Sequence, residues 1–400
     1  MNLSIRTRRS RRLAVVGAVG LALVATACGG EKDDLSSATT AAAATTAASA
    51  TTAGGAATTE APTATEAPTT AAEGTEAPAD LEAELNGSGA TFPKTFYEEA
   101  IAEFTDANDG VTINYAGGGS GKGRQDLADQ IVDWAGTDST IKDEDLPGFK
   151  GGEVLYFPTV VAPITVSYNL DVDGLQLSPE TLAKIFQVQI TNWNDPAIAA
   201  DNPGVELPDQ AITVVHRSDS SGTTSNFTKF LDKAAGADAT GTWTLGADST
   251  VEWDPNTQAG EGNSGVAQIV QSTAGAIGYV DLSDATDAGL QVAAVQNKAG
   301  NYVLPTIEAA SAAAAGAEVK DNLTFSAVWA DGDDAYPITA QTWIIVYAQQ
   351  TDQAKADALK AFLQYVLTDG QALAPEVNFA PLPGELDDLA LAQLDRITVG

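Results

Sequence analysis

The chain has 400 residues, a formal charge of −34 and a hydrophobic fraction of 44%. So acidic a surface excludes nucleic acid as a partner, because phosphodiester backbones need Lys and Arg to neutralise them. It also requires that any anionic ligand be held by local donors, against the field of the whole molecule.

The first 28 residues read as an export signal. Arg6, Arg8, Arg9, Arg11 and Arg12 form a basic start, and an apolar run follows from Leu13 to Ala25. Removing these five arginines takes the formal charge from −34 to −39. Cys28 is the only cysteine, so no intrachain disulfide can form. The stretch VATAC, with Gly29 and Gly30 behind it, resembles a bacterial lipobox, whose cysteine is lipidated and becomes the new N-terminus. Ala25 departs from that pattern, standing where lipoboxes usually carry Leu. The alternative is an ordinary secretory signal cut at A-T-A. The apolar run is short for a membrane span, so the expected anchor is lipid.

Residues 29–80 form a tether. From Ser36 to Ala79 the composition is mostly Ala, Thr, Gly, Pro and Glu, with TEAP recurring at Thr59, Thr65 and Thr75. Without a large apolar side chain no core can form there. About 50 such residues reach on the order of 40 Å. Residues 81–400 have ordinary apolar content and contain all six Trp, a length that suits two lobes better than one core.

Within that region three strands run into polar turns that open helices. LNGSGATFPKTFYEEAIAEF places Pro93 at a helix start and Phe96, Ala100, Ile101 and Phe104 at helical spacing. VTINYAGGGSGKGRQDLADQIVDWAGTD predicts a strand over Val111–Tyr115, a Gly-rich turn and a helix carrying Leu127, Ile131 and Trp134. AITVVHRSDSSGTTSNF predicts a strand, then a helix with Phe227, Phe230 and Leu231 on its buried stripe. A helix start leaves backbone N–H groups without intrahelical partners and carries partial positive charge. Gly admits close approach, and Ser and Thr add hydroxyl donors, so each turn can cradle an oxyanion. Singly, such turns are ordinary caps. Three in one chain, one of them beside an arginine, point to a site.

Sharper chemical readings fail. GGGSGKG has Gly123 after Lys122, where a P-loop needs Ser or Thr for magnesium, and its Gly spacing is wrong. No serine sits in G-x-S-x-G. His216 is the only histidine, placed at a strand end beside Arg217, a poor position for a general base. Zinc sites need His and Cys clusters, and this chain has one of each. DANDG lacks calcium-loop spacing and reads as a turn. No cofactor, metal or catalytic residue is expected.

The chain resembles the PstS-type phosphate-binding lipoproteins that serve ABC phosphate importers, over essentially Leu85 to Val399. The motifs are GSGATFP, GGGSGKG, DWAGTD and HRSDSSGTTSNF, with IFQVQITNWNDPAI, GAIGYVDLS, YPIT and FAPLP as further landmarks in family order. Two residues depart from the pattern. Val188 stands where Gly is usual, which predicts a local turn change without loss of binding, and Ser220 stands where Gly is commoner.

The resemblance implies an α/β, two-lobed type II periplasmic binding protein with a hinge and a central cleft. Lobe I would be 81–162 with 338–400 and lobe II 163–337, with crossings near Val160–Thr165 and Tyr336–Ala340. It implies that inorganic phosphate is held by Thr91, Phe92, Ser120 and Asp138 from one lobe and by Arg217, Ser221, Gly222 and Thr223 from the other. Asp219 would hold Arg217 in place. Arg217 suits this physically, as a permanently charged fork. Asp138 suits it because phosphate at neutral pH keeps an O–H to donate, while sulfate has none. The implied protein is not an enzyme. It is a monomer, anchored outside the cytoplasmic membrane through Cys28, that binds phosphate and delivers it to an ABC permease. The rivals are a same-fold binder of sulfate, molybdate or phosphonate, and a secreted phosphatase that would lack a nucleophile–base pair.

Overall fold

The computed structural model describes residues 81–400. The export signal, Cys28 and the tether lie outside the described residues.

The described chain opens with two strand–helix steps and a third strand: β1 (Ala83–Gly89) and α1 (Lys94–Ala107), β2 (Val111–Ala116) and α2 (Ser120–Ala128), then β3 (Trp134–Thr137). The long strand β4 (Val154–Tyr168) carries it away from them. Beyond it come β5 (Gln176–Leu177), α3 (Pro179–Phe186), α4 (Pro196–Asp201), β6 (Thr213–Arg217) and α5 (Gly222–Ala235). Next are β7 (Gln258–Gly260), α6 (Gly262–Ser272), β8 (Ala276–Asp281) and α7 (Leu282–Asp287). Short strands β9 (Gln291–Val292), β10 (Ala294–Gln296) and β11 (Tyr302–Val303) precede α8 (Ile307–Ala314). The chain returns through β12 (Thr339–Tyr347) and closes with α9 (Gln353–Leu367) and α10 (Gly384–Gln393).

The main sheet has the order β2-β1-β3-β12-β4-β8-β6-β7. Its first half is parallel from β2 through β3, with β12 antiparallel to β3 and β4. In its second half β8 and β6 are parallel, as are β6 and β7. The seam lies within β4, which pairs with β12 up to Pro163 and with β8 from Ile164 to Tyr168. All but one of the residues of this strand are buried, as expected of a strand covered on both faces. Pro163 supplies no amide to the ladder where the partner changes. The two halves thus share β4 as a spine, with β12 lying beside it in the first half.

Packing follows the periodicities. Phe96, Ala100 and Phe104 of α1 are buried, and Phe227, Phe230 and Leu231 of α5 are fully buried. One expected stripe is not formed. The helix α2 stops at Ala128, Gln130 turns left-handed at φ 59, and Ile131 is 68% exposed. Trp134 belongs to β3, where it pairs opposite Gly87 and stacks on Tyr115 at 4.8 Å. A side chain on Gly87 would collide with the indole, so the tryptophan is captured by the sheet and not by the helix.

At Val188, where a local change of turn was expected, the chain closes α3 with a regular helix end. Val188 N–H donates to Ile185 O (2.9 Å) and Gln189 N–H to Lys184 O (2.8 Å), while Val188 adopts φ 58. This is the Schellman closure of α3, with a β-branched residue in the left-handed position that normally takes Gly.

Candidate anion-binding cleft

The implied ligand residues lie at the carboxyl ends of strands, one group on the first half of the sheet and the rest on the second, as open α/β sheets place their sites. Thr91 and Phe92 follow β1, Ser120 opens α2 after β2, and Asp138 follows β3. Arg217 ends β6, and Ser221, Gly222 and Thr223 form the cap and first residues of α5.

On the first wall Asp138 is the pivot. It is 1% exposed, its backbone amide donates to Ser120 Oγ (3.1 Å), and Ser120 Oγ stands 3.2 Å from its Oδ2. Its Oδ1 is buried with no hydrogen-bond partner among the described residues. Burial pushes its pKa up to about 6, against hydrogen bonds from Thr342 and Ser120 and the charges of Arg217 and Arg124. Phe92 is buried with its ring edge-on to Phe379, so this side chain is scaffold and only its backbone can face a ligand.

On the second wall Arg217 is almost wholly buried, yet it has one ion-pair partner. Its Nε donates to Asp219 Oδ1 (2.8 Å) and its Nη2 to Asp219 Oδ2 (2.5 Å). Asp219 therefore grips the Nε–Nη2 edge of the guanidinium and leaves Nη1 to other partners. Nη1 donates to Asn263 Oδ1 (2.6 Å) and to Thr223 Oγ1 (3.3 Å). Ser221 caps α5, its Oγ accepting from Thr224 N–H (3.1 Å), which leaves its own hydroxyl proton available. The amides of Gly222 and Thr223, at the first turn of α5, have no intrahelical acceptor.

The walls touch. Gly121 N–H donates to Ser220 O (2.9 Å), Asn263 N–H to Thr91 Oγ1 (3.2 Å), and Asn226 Nδ2 to Asp138 O (2.7 Å). A Cβ on Gly222 would stand 2.5 Å from Ser120 Oγ and 2.6 Å from Asp138 Cβ, so this approach is open only to glycine. Ser220 fits the turn without strain on the cradle: its carbonyl meets Gly121 and its Oγ donates to Ser249 Oγ (3.0 Å).

His216 is structural. Its ring lies flat on Trp253 at 4.9 Å, its nitrogens face Arg217 O and Thr257 Oγ1 at 2.9 Å each, and burial lowers its pKa. Asn226, Asn263, Gln341 and Thr342 belong to the cleft but were not among the expected residues. Asn263 had a signal: EGNSGVAQIV is a fourth strand-to-helix turn of the same polar, Gly-rich kind. Gln341, whose Nε2 reaches Asn226 Oδ1 (3.2 Å), and Thr342 had none.

Two strand–helix halves joined by shared strands, with a donor-rich cleft at their strand ends, define a two-lobed periplasmic binding-protein fold. A family model described as PBP superfamily domain matches residues 36–370. The phosphate-binding protein PstS of Pasteurella multocida is 35% identical over 316 residues, covering 77% of this chain and 89% of that protein. PstS of Methanocaldococcus jannaschii is 36% identical over 342 residues, covering 78% and 86% respectively. The chain belongs to the PBP superfamily and, within it, to the PstS family of phosphate-binding proteins. Among solved structures, a high affinity periplasmic phosphate-binding protein bound with phosphate matches with a TM-score of 0.65 at 24% identity, covering 78% of this chain and 94% of that one. A phosphate binding protein from Stenotrophomonas maltophilia matches at 0.63 and 21%, with the same coverage. At these identities the likeness carries the fold.

Proposed function

We propose that this protein binds inorganic phosphate outside the cytoplasmic membrane and delivers it to the permease of an ABC importer. The observation that carries the reading is the Oδ1 of Asp138, buried without a partner among the described residues and set beside Ser120 and the helix start at Gly222, with the charge of Arg217 acting on its carboxyl. A set of donors with one free acceptor matches an oxyanion that still carries a proton. Sulfate would leave that acceptor unpaired, at a cost of about 1–3 kcal/mol or more. The relatives are named as phosphate-binding proteins, which supports binding and not turnover.

In this reading Thr91, Phe92, Ser120 and Asp138 contact phosphate from one lobe and Arg217, Ser221, Gly222 and Thr223 from the other. The change of partner along β4 supports lobes of 81–162 with 338–400 and of 163–337. Phosphate would bridge them and favour the closed form, which a permease can recognise. Lipidation of Cys28 would hold this monomer at the membrane, with residues 29–80 as its tether. Isothermal titration with phosphate and then sulfate tests the reading. Tight phosphate binding with sulfate at least about a hundredfold weaker is expected, a gap of about 2.7 kcal/mol. Equal affinities would overturn it.

A further inference from the structure

The GAIGYVDLS stretch and the fourth polar turn, EGNSG, have no place in the implied ligand set. They meet behind Arg217. Asn263, fully buried at the second position of α6, accepts from Arg217 Nη1 through Oδ1 (2.6 Å). It donates through Nδ2 to Asp281 Oδ2 (2.6 Å). Asp281, the acidic residue of GYVDLS, is itself fully buried and caps α7 by accepting from Asp284 N–H (3.0 Å). The bond to Asp281 fixes which way the Asn263 amide points, so its oxygen must face the guanidinium.

We propose that Asn263, oriented by Asp281, is a positioning residue for Arg217: it fixes the end of the guanidinium that meets the anion, without neutralising it. The inference rests on the phosphate reading above.

Two physical points support it. Asp219 lies only two residues from Arg217, on the same loop, so alone it can move with the arginine. The first residues of α6 tie both down from a separate element, because Gly262 N–H also donates to Asp219 Oδ1 (3.1 Å) while Asn263 takes Nη1. The partner is also neutral. A second carboxylate on Arg217 would cancel the charge the ligand needs, whereas an amide oxygen directs the fork and leaves that charge in place. Asn263 also stands at the seam of the walls, its own N–H reaching Thr91 Oγ1 (3.2 Å). That contact uses the threonine oxygen as acceptor and leaves its proton for a ligand.

The test is phosphate titration of the full chain carrying Asn263→Ala, Asn263→Asp, Arg217→Lys, and Asn263→Ala with Arg217→Lys, each also melted without phosphate. Asn263→Ala should weaken phosphate about tenfold or more, the worth of a hydrogen bond to a charged group. It should cost less than about threefold in the Arg217→Lys background, because its partner is gone. Asn263→Asp keeps the size and shape of the side chain but sets a second carboxylate against Asp281, so its melt is read first, and it should weaken phosphate at least as much as Asn263→Ala. A purely structural asparagine would give equal losses in both arginine backgrounds, in step with the loss of melting temperature. That pattern, or both variants within twofold of the parent, overturns the inference and leaves the phosphate reading intact. A parent chain that binds no phosphate overturns the reading, and the inference falls with it.

Discussion

The two walls of the cleft divide the chemistry unevenly. The wall built on β1, β2 and β3 offers hydroxyls and a lone acceptor, Asp138, whose Oδ1 is left without a partner among the described residues. The wall built on β6, α5 and α6 offers the cation, and there four of the five N–H donors of Arg217 are held by Asp219, Asn263 or Thr223, leaving one on Nη2. One wall is over-determined and the other left unsatisfied. Grip comes from a charge that cannot move, and selection from an acceptor that only a protonated ligand can fill.

Removing the grip should have the largest effect. Arg217→Met leaves a half-buried Asp219 facing the anion without its counter-charge, so phosphate affinity should fall at least about a hundredfold, consistent with about 3–5 kcal/mol for breaking a largely buried pair. A loss under tenfold by titration would mean that hydroxyls and amides carry the binding. Next comes contact between the walls. In Gly222→Ala the new methyl meets Ser120 and Asp138 across the cleft, and overpacking of about 1–3 kcal/mol predicts an affinity loss of about tenfold to a hundredfold. Because the clash lies between the walls, compaction on adding phosphate, read by small-angle scattering, should shrink.

Filling the unsatisfied acceptor should sharpen the contrast. Asp138→Asn turns an acceptor into a donor-bearing amide, so phosphate should weaken a few-fold and the gap to sulfate should narrow. Undiminished discrimination in competition titration would refute the selecting role. The same variant has a stability signature. Burial raises Asp138 from its ordinary 3.8 to about 6, so the folded state favours the neutral acid. That contribution is fully present below pH 3.8 and is lost as pH rises through about 6. Above that the ionised side chain costs about 3 kcal/mol relative to the unfolded chain. A neutral amide at this position carries no such cost. Without phosphate the variant should therefore outlast the parent in urea at pH 8, and the advantage should vanish below pH 4.

Much of the second wall was legible because its chemistry is local. Arg217 and Asp219 are two residues apart, and Ser221-Gly222-Thr223 follow at once. The Gly/Ser/Thr turns after β1, β2 and β6 announce themselves by composition, and the two-lobed α/β class followed from family motifs in order. What stayed hidden is held together across the chain. Asn263 reaches Arg217 over 46 residues and Asn226 reaches Asp138 over 88, and neither distance leaves a periodic trace. The misread extension of α2 has a different cause. Leu127, Ile131 and Trp134 sit at helical spacing, but pairing of β3 with β1 and the gap left by Gly87 outweigh a local pattern.

Val188 separates scaffold from cleft and carries the smallest expected effect. It closes α3 in the left-handed region at φ 58, and the two Schellman hydrogen bonds from Val188 and Gln189 keep the turn a glycine would make. A β-branched residue there costs about 1–2 kcal/mol in backbone strain, while glycine would lose about 0.4–1 kcal/mol through the freedom it adds to the unfolded chain. The difference predicts that Val188→Gly gains roughly 0.5–1 kcal/mol in urea unfolding, with phosphate affinity within twofold of the parent. The turn lies in the segment between β4 and β12 but makes no hydrogen bond to Arg217 or Asp138, so strain there is borne by the scaffold alone. If phosphate affinity moved with stability, the left-handed turn would be acting on the cleft, and the separation of a rigid grip from the frame that supports it would fail.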